Sequence, residues 1–267
     1  MANRGFDIRK LPGFSTIAMA CFFMLYMPII LLVVYSFNAG TSVAIWEGFS
    51  WRWYVSAWDN EMVQEATVRS LVIAVSAAAI STSVAVLAAL GTTRTGKFRG
   101  QTAVFALIHQ PLMVPEIVTA VALLIFFASI KVVTGYTGLM YLIIAHSAFC
   151  IPFAYLPIRA RLQGMDLTLE QAGADLYGTP FQVFRHVTLP QLWPGILAGA
   201  MLAFVISLDD VVITEFVKSA GQDTLPTYML GQLRRVVTPE INAISTVLLF
   251  ISVTMVIAYT LLSKVKK

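Results

Sequence analysis

Long apolar runs separated by short polar segments fill this chain. Runs without Asp, Glu, Lys or Arg extend over Leu11–Trp46, Ser70–Thr93, Val132–Ile158, Val187–Leu208 and Ile241–Ser263. A sixth run, Gly100–Ile130, is interrupted only by Glu116. A helix needs about 20 mostly apolar residues to cross a bilayer, so the pattern predicts six membrane-spanning helices. We place these spans at about 12–37, 67–92, 101–130, 137–160, 188–210 and 241–263.

Composition agrees with this pattern. The 267 residues are 58% hydrophobic and only 12% charged, whereas soluble domains are about 45–50% apolar. Six spans leave only short connections, so the sequence predicts an all-α integral membrane protein with one transmembrane domain over residues 1–267. The first run is too long for the apolar part of a signal peptide and lacks a clear cleavage site, so we interpret it as an uncleaved span.

The basic residues predict the orientation of the chain. If the N-terminus is inside, twelve of the 18 Lys and Arg residues lie in inner segments. These are Arg4, Arg9, Lys10, Arg94, Lys97, Arg99, Arg159, Arg161, Arg185, Lys264, Lys266 and Lys267. The positive-inside rule therefore places both termini, and the segment between the fourth and fifth spans, in the cytoplasm.

No motif in the chain indicates an active site. The stretch GTTRTGKF at Gly91–Phe98 has the spacing of a phosphate-binding loop, but it ends in Phe98 where a Ser or Thr is needed to hold magnesium. Cys21 and Cys150 lie within spans and provide neither a disulfide framework nor a metal site. We therefore expect a non-catalytic protein without a cofactor or metal of its own.

The third run contains two prolines, Pro111 and Pro115, in HQPLMVPEIV. As one straight helix, the run would be longer than the bilayer core is thick. Proline removes a backbone donor and clashes with the preceding turn, so we predict a break or kink here. The break lies beside Glu116, which this count places near the middle of the membrane, and beside Gln110.

The stretch EQAGADLYGTPFQVFRHVTLP, residues 170–190, is unusually polar for this chain. Thr168 and Gln171 have the spacing of a capping box. One face of the predicted helix carries Leu169, Ala172, Gly173, Leu176 and Tyr177. Gly178 can end this helix, and Thr179 and Pro180 can start another.

Such an amphipathic helix can pack on its own bundle, lie on the bilayer or insert into a partner. Its small residues favour close helix approach over membrane insertion.

The same stretch resembles the EAA loop of permease subunits in binding-protein-dependent ABC importers. Ala172 and Gly173 match the paired small residues, and Leu189 and Pro190 close the motif. Two positions depart from it. Gln171 stands at the glutamate position, with Glu170 one residue early, and Tyr177 stands at the glycine position, with Gly178 one residue late.

The resemblance implies a type I ABC importer permease (MetI-like) fold, with a cytoplasmic coupling helix at about 168–178 that sits in a groove of an ATPase subunit. The implied coupling residues are Glu170, Gln171, Ala172, Gly173, Asp175, Leu176, Tyr177 and Gly178.

Other segments resemble the spermidine/putrescine permease subfamily, and within it the second permease of the pair. They are FSWRWY, SLDDVVITEF, TLP at 224–226 and PEINA at 239–243. The resemblance implies a bacterial inner-membrane importer of polyamines. Its implied partners are a second permease in a heterodimer, a dimer of ATPase subunits that binds ATP and Mg, a periplasmic solute-binding protein and membrane lipid, but no nucleic acid.

Three carboxylates within spans are candidates for the translocation route: Glu116, Asp209 and Asp210. Ionisable groups in a membrane are costly and are functional candidates by default, and anionic contacts can replace the hydration of a cation. The resemblance implies acidic residues along the route, and Gln110 is a further candidate lining residue. Alternatively, the aspartates cap a helix or pair with Arg234 or Arg235. His109 and His146 are interpreted as hydrogen-bonded residues of the bundle.

Other functions remain open from the sequence. The ligand of an ABC permease could be another small organic cation or an opine-like compound. A stand-alone secondary transporter commonly shows inverted repeats and has its own coupling-ion site, and no convincing repeat occurs here. A membrane-embedded enzyme would need a catalytic constellation, and none is visible.

Overall fold

The computed structural model describes residues 13–43, 45–96, 98–235 and 238–264, with side chains described up to residue 257. The predicted start of the first span at residue 12 lies outside the described residues. Six of the basic residues assigned to inner segments also lie outside the described residues: Arg4, Arg9, Lys10, Lys97, Lys266 and Lys267.

The described chain is helical, and its only β-type feature is an isolated bridge between Asn38 and Phe49. The helices are α1 (Phe14–Tyr35), α2 (Arg52–Asp59), α3 (Glu61–Thr93), α4 (Gln101–Met113), α5 (Glu116–Thr134), α6 (Met140–Gln163), α7 (Thr168–Asp175), α8 (Pro180–Val183), α9 (Leu189–Asp209), α10 (Val212–Val217), α11 (Leu225–Leu233) and α12 (Pro239–Lys264). A π-helical turn, Phe184–Thr188, joins α8 to α9.

Six helical stretches are long and apolar enough to cross a membrane. They are Phe14–Tyr35, Glu61–Thr93, Glu116–Thr134, Met140–Gln163, Pro180–Asp209 and Pro239–Ile257. This confirms the predicted all-α class with six spans.

The third span differs from its predicted bounds. The predicted break is present, because α4 ends at Met113, Val114 is extended (φ −97°, ψ 137°) and Pro115 precedes α5. A residue before proline disfavours the helical conformation, which explains why the break is at Val114 while Pro111 stays inside α4. The helix apolar enough to span is therefore Glu116–Thr134 and not 101–130. Glu116 begins a spanning helix instead of lying in the middle of one.

The described residues divide into two compact units. One comprises those of Met1–Asn60 and Gln232–Phe250, and the other those of Glu61–Gly231 and Ile251–Lys267. In the first unit, the buried Trp53 indole donates to the carbonyl oxygens of Asn38 (2.8 Å) and Gly40 (3.1 Å). These hydrogen bonds hold α2 against the segment that follows α1. One transmembrane domain for the whole chain stays a prediction.

The second unit is built on α3, α6 and α9, which pack against one another. Two glycines four residues apart on α9 let it approach α6 closely. A Cβ added at Gly199 would lie 2.7 Å from the Ala154 carbonyl oxygen, and one at Gly195 would lie 2.7 Å from the Arg161 Cβ. Small residues at this spacing are typical of helix contacts within membranes, where close van der Waals packing drives association.

Candidate functional site

The two neighbouring aspartates lie where α9 ends and the chain turns into α10. Asp209 is the last residue of α9 and is exposed, whereas Asp210 is extended (φ −65°, ψ 132°) and only 7% exposed. The Asp210 carboxylate accepts from the backbone N–H groups of Ile213 (3.3 Å) and Thr214 (2.9 Å). It therefore caps the N-terminus of α10, as the capping alternative expects.

His146 joins this group from α6. Its Nδ1 lies 2.8 Å from the Ser207 hydroxyl, and its Nε2 lies 3.0 Å from the Thr214 hydroxyl and 3.4 Å from Asp210 Oδ2. The Thr214 hydroxyl in turn donates to Asp210 Oδ2 at 2.8 Å. His146 is thus a buried histidine with partners on both ring nitrogens, which agrees with its interpretation from the sequence.

The predicted pathway residues are only partly brought together. Glu116 is half-buried at the start of α5, and its carboxyl group lies close enough to that of Asp210 to interact with it. Gln110 lies exposed near the end of α4, and no hydrogen bond joins it to this group among the residues that the structure describes. The structure thus places a buried Asp210 and a half-buried Glu116 together, next to an exposed Asp209. A pathway role for the four residues stays a prediction.

Sequence reasoning did not single out Ser207 and Thr214 as members of this group. Ser207 is 61 residues from His146 along the chain, so no local pattern pairs the two. Asp210 itself carried a usable signal, because an acidic residue just before a helix can accept N–H groups of the first turn, and Thr214 lies in that turn.

The helix of the EAA-like loop is present as α7, but it ends at Asp175 and not at 178. It begins at Thr168 as predicted, but its N-cap residue is Leu167 and the predicted capping box is absent. Instead the Thr168 N–H donates to Asp166 at 2.9 Å, and this hydrogen bond lowers the pKa of the Asp166 carboxyl. The second start is as predicted, with Thr179 and Gln182 forming a capping box at α8.

Tyr177 takes the left-handed conformation that ends this loop helix (φ 59°). The chain closes with hydrogen bonds from Tyr177 N–H to Ala174 O (3.0 Å) and from Gly178 N–H to Gly173 O (3.2 Å). Glycine is favoured at such a position because a Cβ there is strained. The tyrosine at the motif's glycine position therefore keeps the glycine-like backbone while its side chain is 97% exposed.

Replacing Tyr177 with glycine is expected to leave the loop intact and to relieve about 1 kcal/mol of backbone strain. No packing is lost inside the chain, because the tyrosine side chain is exposed. Thermal unfolding of the purified subunit measures the change, and Tyr177→Ala, which keeps the Cβ, is the control. A lower melting temperature for Tyr177→Gly than for Tyr177→Ala would contradict the strained conformation.

Two predicted coupling residues contact their own chain. Glu170 Oε1 accepts from Arg94 Nη2 (3.0 Å) and Nε (3.2 Å), and both side chains are less than one-fifth exposed. A Cβ added at Gly173 would lie 3.3 Å from a Val183 methyl group, so this glycine allows α7 to pack on α8. The exposed coupling candidates are Gln171, Ala172, Asp175, Leu176 and Tyr177.

Comparison with known proteins gives a family match over most of the chain. The model of the family described as "Binding-protein-dependent transport system inner membrane component" matches residues 81–266. The putrescine transport system permease protein PotI of Escherichia coli K12 is 36% identical over 250 residues, which cover 92% of this chain and 89% of PotI. The spermidine/putrescine transport system permease protein PotC of the same organism is 35% identical over 254 residues, which cover 95% of this chain and 94% of PotC.

Solved structures share the fold at low sequence identity. A subunit of a bacterial ABC transporter that imports the acidic polysaccharide alginate superposes with a TM-score of 0.73 at 16% identity, and the match covers 94% of this chain and 93% of that one. A chain of the MetNI methionine ABC transporter superposes with a TM-score of 0.61 at 19% identity, and the match covers 81% of this chain and 97% of the MetNI chain.

Proposed function

Because this chain belongs to the family of binding-protein-dependent transport system inner membrane components, and is thus a multi-pass ABC importer permease of the inner membrane, we propose that its cargo is a polyamine such as putrescine or spermidine. The single observation that carries this proposal is the 35–36% identity to polyamine permeases over at least 92% of the chain.

The carboxylates at the end of α9 and the start of α5 support a cationic cargo. A polyammonium ion that enters a membrane protein loses part of its hydration shell, and anionic groups must replace it. Asp209 is exposed at the α9–α10 junction, and Glu116 is half-buried beside Asp210. Asp209 is therefore the proposed direct contact, with Glu116 as a second one. Gln110 would line the route on α4.

The proposed assembly has this chain as one half of a heterodimer with a homologous permease. A dimer of cytoplasmic ATPase subunits binds ATP and Mg and supplies the energy, so this chain performs no chemistry. A periplasmic binding protein delivers the polyamine to the outer face. Both termini lie in the cytoplasm in this arrangement, and so does α7.

Exposed apolar side chains on the α7–α8 loop support docking to the ATPase. Leu169 is 50%, Leu176 is 82% and Phe181 is 67% exposed. Large apolar side chains exposed on one short polar loop favour an interaction site there, and the proposed occupant is the groove of an ATPase subunit. Gln171, Ala172, Asp175 and Tyr177 would lie in the same contact, while Glu170, Gly173 and Gly178 would shape the loop.

The ion pair of Arg94 and Glu170 gives the loop a direct connection to a spanning helix. Arg94 follows the last residue of α3, and Glu170 lies in the first turn of α7. The 33 residues of α3 pack against both α6 and α9. Movement of α7 on ATP binding would therefore act on α3, and through it on the helix that ends at Asp209.

A second candidate cargo is another small organic cation or an opine-like compound, because the carboxylates suit cations in general. Family membership disfavours the stand-alone secondary transporter that the sequence left open.

Uptake of labelled putrescine tests the proposal. Host cells without the gene are expected to lose uptake, cells with the intact gene to regain it, and excess unlabelled spermidine to compete. Cells with Asp209→Asn should take up at least about tenfold less, since one charge contact is lost. Unchanged uptake after deletion would contradict polyamine transport and direct the search to other cations through the binding protein.

A further inference from the structure

We propose that His146 is a positioning residue for transport: by holding the Asp210 carboxylate on α10, it keeps the α9–α10 junction in the conformation that leaves the Asp209 side chain exposed to a cationic ligand. This inference rests on the function proposed above. It gives a role to a buried histidine that the transport route itself does not use.

The directions of the hydrogen bonds follow from the donors available. The Thr214 hydroxyl gives its proton to Asp210 Oδ2, so its oxygen is left to accept from His146 Nε2–H at 3.0 Å. A proton on Nε2 leaves Nδ1 as an acceptor, and the Ser207 hydroxyl lies 2.8 Å from it. One imidazole tautomer therefore satisfies the whole chain from Ser207 to Asp210.

This chain of hydrogen bonds joins three helices at one buried point. His146 is on α6, Ser207 on α9 and Thr214 on α10, and each of them is at most 5% exposed. An aliphatic side chain in place of the imidazole would leave the Ser207 hydroxyl without this acceptor and the Thr214–Asp210 pair without this donor. Buried polar groups that lose a partner favour any rearrangement that restores one.

The rearrangement would affect Asp209 because the two aspartates are adjacent. The Asp210 carboxylate is buried and fixed on α10, while the Asp209 side chain lies outside the packed group. A less firmly held Asp210 would seek water or other donors, and the junction would turn with it. The Glu116 carboxyl group also lies beside that of Asp210, so the start of α5 would be disturbed as well.

The test uses the complete transporter with two substitutions at one position. His146→Leu removes both hydrogen bonds, whereas His146→Gln keeps a side-chain N–H that can donate to the Thr214 hydroxyl. For putrescine uptake we expect His146→Leu to raise KM about tenfold with less than about a threefold change in Vmax, and His146→Gln to stay within about threefold of wild type in both.

A second measurement does not depend on the cargo. The chain's own cysteines are replaced as Cys21→Ser and Cys150→Ala, Asp209→Cys is introduced, and labelling by a small cationic methanethiosulfonate reagent is timed. We expect His146→Leu to slow labelling at least about fivefold, and His146→Gln to change it by less than about twofold, because only the former releases Asp210.

The outcomes separate this inference from the proposed function. A wild-type transporter that moves no putrescine would contradict the cargo, and the labelling rates alone would then decide the role of His146. Normal KM and normal labelling in an assembled His146→Leu transporter would overturn that role, as would equal defects in the leucine and glutamine variants.

If His146→Leu does not accumulate, Ser207→Ala replaces it. We expect this variant to raise KM about threefold and to slow labelling. Wild-type values of both would refute the positioning role.

Discussion

Replacing Gly199 with leucine is expected to prevent the subunit from accumulating as a folded membrane protein. A Cβ at this position would lie 2.7 Å from the Ala154 carbonyl oxygen and 3.1 Å from Ile158 Cδ1. The isoleucine can change rotamer, but the carbonyl is held by the backbone of α6. Leucine therefore has to push α9 away from α6 over several turns, and overpacking of this kind costs about 1–3 kcal/mol or more. The amount of subunit in the membrane and its thermal unfolding in detergent measure the effect.

Gly91→Leu is the matched control for this prediction. Gly91 is also helical, in the last turns of α3, but an added Cβ there has nothing within 4 Å. Its leucine variant should accumulate and unfold like the wild type. Equal behaviour of the two variants would show that α6 and α9 are not in close contact at Gly199.

The spans were predictable because the bilayer selects for length and apolarity in one continuous stretch. The break in the third run was predictable for a similarly local reason, since Pro115 constrains the residue before it. The sequence could not indicate which of the two resulting helices crosses the membrane. That depends on where each helix ends: α4 has 13 residues, too few to cross, whereas α5 has 19, and Glu116 stands at the start of α5 instead of mid-span.

The loop shows how two local signals can compete. Thr179 and Gln182 form their capping box, in which the Thr179 N–H donates to Gln182 Oε1, and the residue two positions upstream is Tyr177, which has no carboxylate. The same box at Thr168 was wrong because Asp166 lies two residues upstream and already accepts the Thr168 N–H. A carboxylate is a stronger acceptor than the Gln171 amide oxygen that would accept this N–H in a capping box, and it draws the chain into a turn before the helix.

The division between Asp209 and Asp210 was beyond sequence reasoning. Both are acidic and adjacent, and the choice of the buried one depends on where α9 ends. Once Asp209 ends the helix, the extended Asp210 can reach the α10 N–H groups, and Asp209 is left outside. His146 completes the arrangement from a helix that is distant in sequence, so only the folded chain shows the group.

We expect the ion pair of Arg94 and Glu170 to be required for coupling. Each single charge reversal should lower transport, and the two reversals together should restore it. Glu170→Arg would place two guanidinium groups where a 3.0 Å ion pair now lies, and Arg94→Glu would place two carboxylates there. Both positions are largely buried, so solvent screens the repulsion less than at an exposed pair. Each single variant should release α7 from α3 and lower putrescine uptake at least about tenfold, while Arg94→Glu with Glu170→Arg should recover most of it.

Uptake and ATPase activity of the assembled transporter, measured side by side, identify the cause. If the pair transmits motion from α7 to α3, the single variants should lose more uptake than ATP hydrolysis, because the ATPase still turns over without moving the spans. Glu170→Gln removes the attraction without adding repulsion and should have an intermediate effect. Single reversals with normal uptake would show that the pair does not transmit the motion. Failure of the double variant to recover would show that the two residues act through other contacts, because the reversed pair preserves the charge complementarity of these positions.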